Sequence, residues 1–209
     1  MQSALLEAMA ERQITVGSKT YRLPELFLVM ATQNPIEQEG TYPLPEAQLD
    51  RFLMHVNIDY PDAEAEKEIL HLNRAEAHRD FADKLAQPAQ ITQADLFSAR
   101  DEVLDVAMTE NLETYLLQLV LATRKPGAYG KELEGWLEYG ASPRASIALD
   151  RCARAHAWLD GRDYVTPDDI QEIAFDVLRH RVILSYEAEA EGITPDRFIS
   201  ELLHRVAVP

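Results

Sequence analysis

Three side chains have types and settings that could do chemistry on a bound ligand: Asn34, Arg51 and Arg144. Asn34 closes the stretch Leu28-Val29-Met30-Ala31-Thr32-Gln33-Asn34-Pro35, where four apolar residues run into a polar turn, the pattern of a buried strand stopped at a loop. In α/β folds ligands lie outside the carboxyl ends of such strands, so an amide there can act on something bound. Asn-Pro is equally a plain turn signal, and both readings stand. Arg144 falls in the first turn of a helix opened by Ser142-Pro143, where the macrodipole disfavours a cation by about 0.3–1 kcal/mol. No acid lies within five residues of it. Free helix-start amides plus an arginine suit a phosphate; the alternative is a solvated arginine, or one paired with a distant member of the 36 acids. Arg51 ends a short helix that begins at Pro45, where a cation suits the dipole, and by itself reads as a structural surface arginine.

Other chemistries lack their residues. The six histidines never take the His-Glu-x-x-His spacing of a zinc hydrolase, so no metal site is expected. There is no Gly-x-Ser-x-Gly elbow and no Gly-x-Gly-x-x-Gly loop. Gly130-Lys131 is followed by Glu132, which offers magnesium no hydroxyl, so these residues are not a phosphate loop. A net charge of −16 argues against nucleic acid and anionic membrane surfaces as partners. Cys152 is the lone cysteine, which excludes an intramolecular disulfide and fits a reducing, cytoplasmic setting. No run approaches the ~20 apolar residues that span a bilayer, so membrane insertion is not expected.

These residues need elements to hold them. Gln13-Ile14-Thr15-Val16 and Thr20-Tyr21-Arg22-Leu23 flank Gly17-Ser18-Lys19, a hairpin signal. The strand leading to Asn34 follows, then a turn-rich stretch with Gly40, Pro43 and Pro45, a short helix over 46–52, and a second strand over Met54–Tyr60. Beyond Pro61 the period changes to that of amphipathic helices, which places a domain boundary near that proline. Asp62, Thr92, Thr109, Ser142, Thr166 and Thr194 mark helix starts, and residues 126–140, with four glycines, read as a loop. The fold class expected is therefore mainly α: a hairpin plus two strands in residues 1–61, then an all-helical domain in 62–209.

Several stretches together resemble the MoxR family of AAA+ ATPases: Gln2-Ser3-Ala4-Leu5-Leu6-Glu7-Ala8-Met9, the long block from Ala31-Thr32-Gln33-Asn34-Pro35 through Leu49-Asp50-Arg51-Phe52, and Gly140-Ala141-Ser142-Pro143-Arg144-Ala145. The resemblance covers nearly the whole chain and is looser between Pro61 and Gly140. It implies that Asn34 is sensor 1, which helps place the attacking water; that Arg51 is the arginine finger offered to a neighbouring subunit; and that Arg144 is the lid's sensor 2. The hairpin then corresponds to the pre-sensor-1 hairpin, residues 1–61 to the C-terminal part of the AAA+ core, and 62–209 to the lid. The implied cofactors are ATP and magnesium in an intact parent that forms a ring and remodels or assembles partner proteins, von Willebrand factor A domain proteins among them.

The family's phosphate loop and Walker B acids do not occur in these 209 residues, so the chain taken alone is expected neither to hydrolyse ATP nor to hold it tightly. In the family's strand order the two predicted strands would lack a shared neighbour, which favours strand exchange between copies. The alternative reading is a non-enzymatic helical module that binds a protein partner.

Overall fold

The computed structural model describes residues 7–9, 11–34, 44–77 and 90–209. The chain divides into two compact units, residues 1–55 with 99–209, and residues 56–98. The expected hairpin forms with a shorter connection, Gly17-Ser18, because Lys19 joins the ladder opposite Val16: β1 (Gln13–Val16) pairs antiparallel with β2 (Lys19–Arg22), Ile14 opposite Tyr21, around Gly17 at φ +63°. The short helix α1 (Glu46–Leu49) begins after Pro45. Of the turn-rich stretch expected over 37–45, residues 37–43 lie outside the described residues.

The two runs read as strands, 28–31 and 54–60, carry no ladder among the described residues. Most of their apolar side chains are open to solvent, Met30 at 80% and Ile58 at 92% exposure, while Val29 and Met54 are half-buried, Met54 against the core. Alternating and branched apolar residues supply the preference for a strand, but the ladder needs a neighbouring strand to bond to, and none is present among the described residues.

In the smaller unit α2 (Ala63–Glu76) is capped by Asp62, which accepts the Ala65 N–H at 2.8 Å, and buries no residue. The helix α3 (Gln93–Asp105) runs across the division and starts in a reciprocal cap, Thr92 with Asp95. The remainder of the larger unit is built on α4 (Glu110–Arg124), α6 (Pro143–Leu159), α7 (Pro167–Leu178) and α9 (Pro195–Arg205). Each starts at the residue the sequence nominates, with Thr109, Ser142, Thr166 and Thr194 accepting a backbone N–H in the first turn. Their stripes meet in one core in which Tyr115, Leu119, Leu149, Ile170, Leu178 and Phe198 are fully buried.

Residues 126–140 are not simply a loop. A 3₁₀ turn (Pro126–Ala128) leads into α5 (Lys131–Trp136), whose Leu133 is fully buried, and then β3 (Leu137–Tyr139). That strand pairs antiparallel with β4 (Ile183–Leu184), Leu137 opposite Leu184 and Tyr139 opposite Ile183 with a bulge between, so the region expected to be all-helical contains a two-stranded sheet whose strands only the fold brings together. The short α8 (Tyr186–Ala190) is capped by Ser185. Among the described residues no helix is long and apolar enough to cross a membrane.

Candidate functional site

The site is organised by the turn after α1, Asp50 to His55, and by Arg179-His180-Arg181 immediately beyond α7. A helix C-terminus favours cations, which accounts for arginines there, and tertiary packing gives them their targets. Arg181 is 2% exposed at its side chain, and all five of its N–H donors meet an acceptor. Its Nε reaches Asp50 Oδ1 at 3.2 Å; Nη1 takes the carbonyls of Leu53, at 3.2 Å, and Val177; Nη2 takes those of Asp50, at 3.2 Å, and Phe52. His180 Nε2 lies 3.2 Å from the same Phe52 carbonyl, to which it donates if protonated there. Burial, then the charge of Arg181, pushes the His180 imidazole down to about 4. Arg179 donates to the His55 carbonyl and pairs with Asp176 and Asp196, and the His55 N–H returns to the Asp176 carbonyl at 2.8 Å. Three consecutive residues thus hold the backbone of residues 50–55.

The carboxylate of Asp50 is the junction of this arrangement with α6. Ser142 Oγ shares its hydrogen between both oxygens, each at 2.9 Å, and Arg144 Nη1 reaches Oδ2 at 2.9 Å. Burial works to raise the Asp50 carboxyl, and the hydrogen bonds from Arg144 and Ser142 with the charge of Arg181 outweigh it, leaving it below the ordinary carboxylate range. Ser142 also caps α6 by accepting the Arg144 N–H. The entry to α6 is fixed from behind: Thr123 Oγ1 accepts the Ala141 N–H at 2.9 Å, and Arg124 Nε donates to the Ala141 carbonyl at 2.8 Å. Gly140 must be glycine, because a Cβ there would stand 2.1 Å from the Thr123 carbonyl oxygen.

Of the three residues singled out by sequence, the structure joins the loop of Arg51 to the helix of Arg144. Arg144 is paired with a carboxylate 94 residues away, and its side chain is 51% exposed. Arg51 is half-buried, its backbone N–H on the Gln48 carbonyl at 3.2 Å, while its guanidinium meets no partner among the described residues. Asn34 is exposed at the end of the run 11–34. Sequence reasoning did not nominate Asp50, Ser142 as its donor, or Arg181. The only local sign was a pair of cations flanking a histidine just past the last apolar residue of α7.

A second polar cluster is structural. Ligand atoms of His156, Asp160 and Asp169 lie within 4.8 Å of one another, but Arg162 already sits on both Asp169 oxygens, at 2.7 and 2.5 Å, where a cation would have to go. Asp169 also accepts from the Thr166 N–H and hydroxyl, completing the α7 cap.

Two family models match the chain: the ATPase family associated with various cellular activities (AAA) over residues 1–54, and the AAA lid domain over residues 134–202. The chain is 44% identical to chaperone MoxR1 of Mycobacterium tuberculosis over 210 residues, all of this chain and 54% of that protein. It is 34% identical to protein MoxR of Methylorubrum extorquens over 206 residues, 92% of this chain and 58% of that one. A crystal structure of a candidate ATPase from Cytophaga hutchinsonii superposes with a TM-score of 0.89 at 48% identity, over all of this chain and 62% of that one. The chain therefore spans little more than half the length of the curated relatives it matches.

Proposed function

Because the chain belongs to the MoxR family of AAA+ ATPases, we propose that it is the C-terminal part of a cytoplasmic, ring-forming ATPase that couples nucleotide hydrolysis to remodelling or assembly of partner proteins. Residues 1–61 would end the AAA+ core and residues 62–209 would form the lid. In this reading Asn34 orients the attacking water, Arg144 contacts the γ-phosphate, and Arg51 reaches the nucleotide of an adjacent subunit. Von Willebrand factor A domain proteins are the partner class that the family resemblance suggests.

The observation that carries the proposal is Arg51. In a chain with 36 acids and 20 Lys and Arg, its guanidinium is without a partner among the described residues, while the backbone on either side of it is gripped by Arg181. A finger needs that combination, an uncompensated cation on a fixed loop, since it acts on charge that develops in a neighbour's transition state. Arg51 and Arg144 fit the phosphate oxygens of ATP. Asp50, committed to Ser142, Arg144 and Arg181, is not offered to magnesium, whose ligands belong elsewhere in such an ATPase.

The test is Arg51→Ala in the full-length ATPase. Hydrolysis should fall by roughly 10³-fold or more, as for other arginine fingers, with nucleotide affinity nearly unchanged. Mixed with subunits mutated in the phosphate-loop lysine, R51A subunits should recover activity at mixed interfaces. Loss without recovery would mean that Arg51 acts within its own subunit or only structurally.

A further inference from the structure

Asp50 holds two arginines of very different freedom. Arg181 is immobilised: its side chain is 2% exposed and every donor is used. Arg144 gives Asp50 a single N–H from Nη1, its side chain is 51% exposed, and its other side-chain donors have no partner among the described residues. If Arg144 left, the carboxylate would still have the Ser142 hydroxyl at 2.9 Å and Arg181 Nε at 3.2 Å, so no buried charge would be orphaned. The Asp50 carbonyl, and with it the backbone next to Arg51, would stay on Arg181 Nη2. One partner can leave cheaply and the other cannot.

We infer that Asp50 is a positioning residue, the resting partner of Arg144, from which the terminal phosphate of a nucleoside triphosphate takes the guanidinium while Arg181 and Ser142 keep the Arg51 loop in place. This rests on the reading of Arg144 as a phosphate ligand. Asp50 competes with the phosphate for one cation, so removing its charge tightens nucleotide binding, and only through Arg144. A half-exposed ion pair of this kind sets the size of the effect at about two- to fivefold in affinity.

The experiment is equilibrium titration of the full-length ATPase with a fluorescent non-hydrolysable ATP analogue, in the unmodified protein, D50N, R144A and the double variant. R144A should weaken binding, D50N should tighten it about two- to fivefold, and D50N added to R144A should change it by less than ~1.5-fold, since the coupling partner is gone. If R144A binds as well as the unmodified protein, Arg144 is not a phosphate ligand, and both the functional reading and this inference fall. If R144A weakens binding but D50N acts equally in both backgrounds, or not at all, the inference alone falls. A crystal structure of the unmodified protein with the same analogue does not depend on how D50N folds. Arg144 and Asp50 parted by more than ~4 Å, with the Ser142 and Arg181 contacts kept, supports the inference, and an intact Arg144–Asp50 contact overturns it.

Discussion

Arg181→Met removes the guanidinium that fixes residues 50–53 and keeps much of its apolar stem volume. The substitution leaves four carbonyls, of Asp50, Phe52, Leu53 and Val177, without their charged donor, and strips the Asp50 carboxylate of one of three donors. Breaking a buried pair by removing one partner costs about 3–5 kcal/mol, and hydrogen bonds to charged groups are worth about 1.5–3 kcal/mol each. Asp50 keeps Ser142 and Arg144, and its side chain is 17% exposed, so the pair itself falls at the low end. The expected loss is about 3–5 kcal/mol in urea unfolding followed by circular dichroism, a drop of roughly 6–20 °C in Tm for a chain of this size. Amide exchange should quicken at His55, whose N–H is bonded to the Asp176 carbonyl. Arg181→Lys is the discriminating companion, because an ammonium brings three donors to five acceptors and cannot fork, so it should recover less than half of the loss. A loss under ~1 kcal/mol for R181M, or R181K equal to the unmodified protein, would refute the claim that a matched guanidinium holds this loop.

Two further outcomes follow from the same region and its approach. His180, held near 4 by burial, stays neutral in the folded chain while its unfolded counterpart takes up a proton, so its contribution to stability is fully present above about pH 6.5 and is lost as pH falls toward 4. The difference in unfolding free energy between the unmodified protein and His180→Gln should grow as pH rises through that window. The raised His156, paired with Asp169, contributes in the opposite direction, and it cancels in the comparison because both proteins carry it; a flat difference would refute the assignment. Glycine substitutions should differ in sign with place. Gly140→Ala drives a Cβ against the Thr123 backbone and should cost about 1–3 kcal/mol, whereas Gly135→Ala, with nothing within 4 Å inside α5, should stabilise by about 0.5–1 kcal/mol, both read from Tm.

What the sequence by itself determined was local or motif-borne. Thr109, Ser142, Thr166 and Thr194 start helices because each hydroxyl meets an N–H two or three residues on, an interaction wholly contained in the local sequence. The hairpin around Gly17 and the stripes that bury Leu119, Leu149 and Ile170 were legible for the same reason, and the block through Asp50-Arg51-Phe52 carried the family. Tertiary structure decided the rest. Whether 28–31 and 54–60 become strands depends on a neighbour rather than on their own residues, and β3 exists within a glycine-rich stretch because β4 comes to it. Arg144 read as either a lone cation or half of a pair, and the choice fell to a carboxylate 94 residues away. Arg181 found that same carboxylate across 131 residues. Ion pairs form between groups that folding brings within a few ångströms, and charge or spacing along the chain does not specify which of 36 acids will be there.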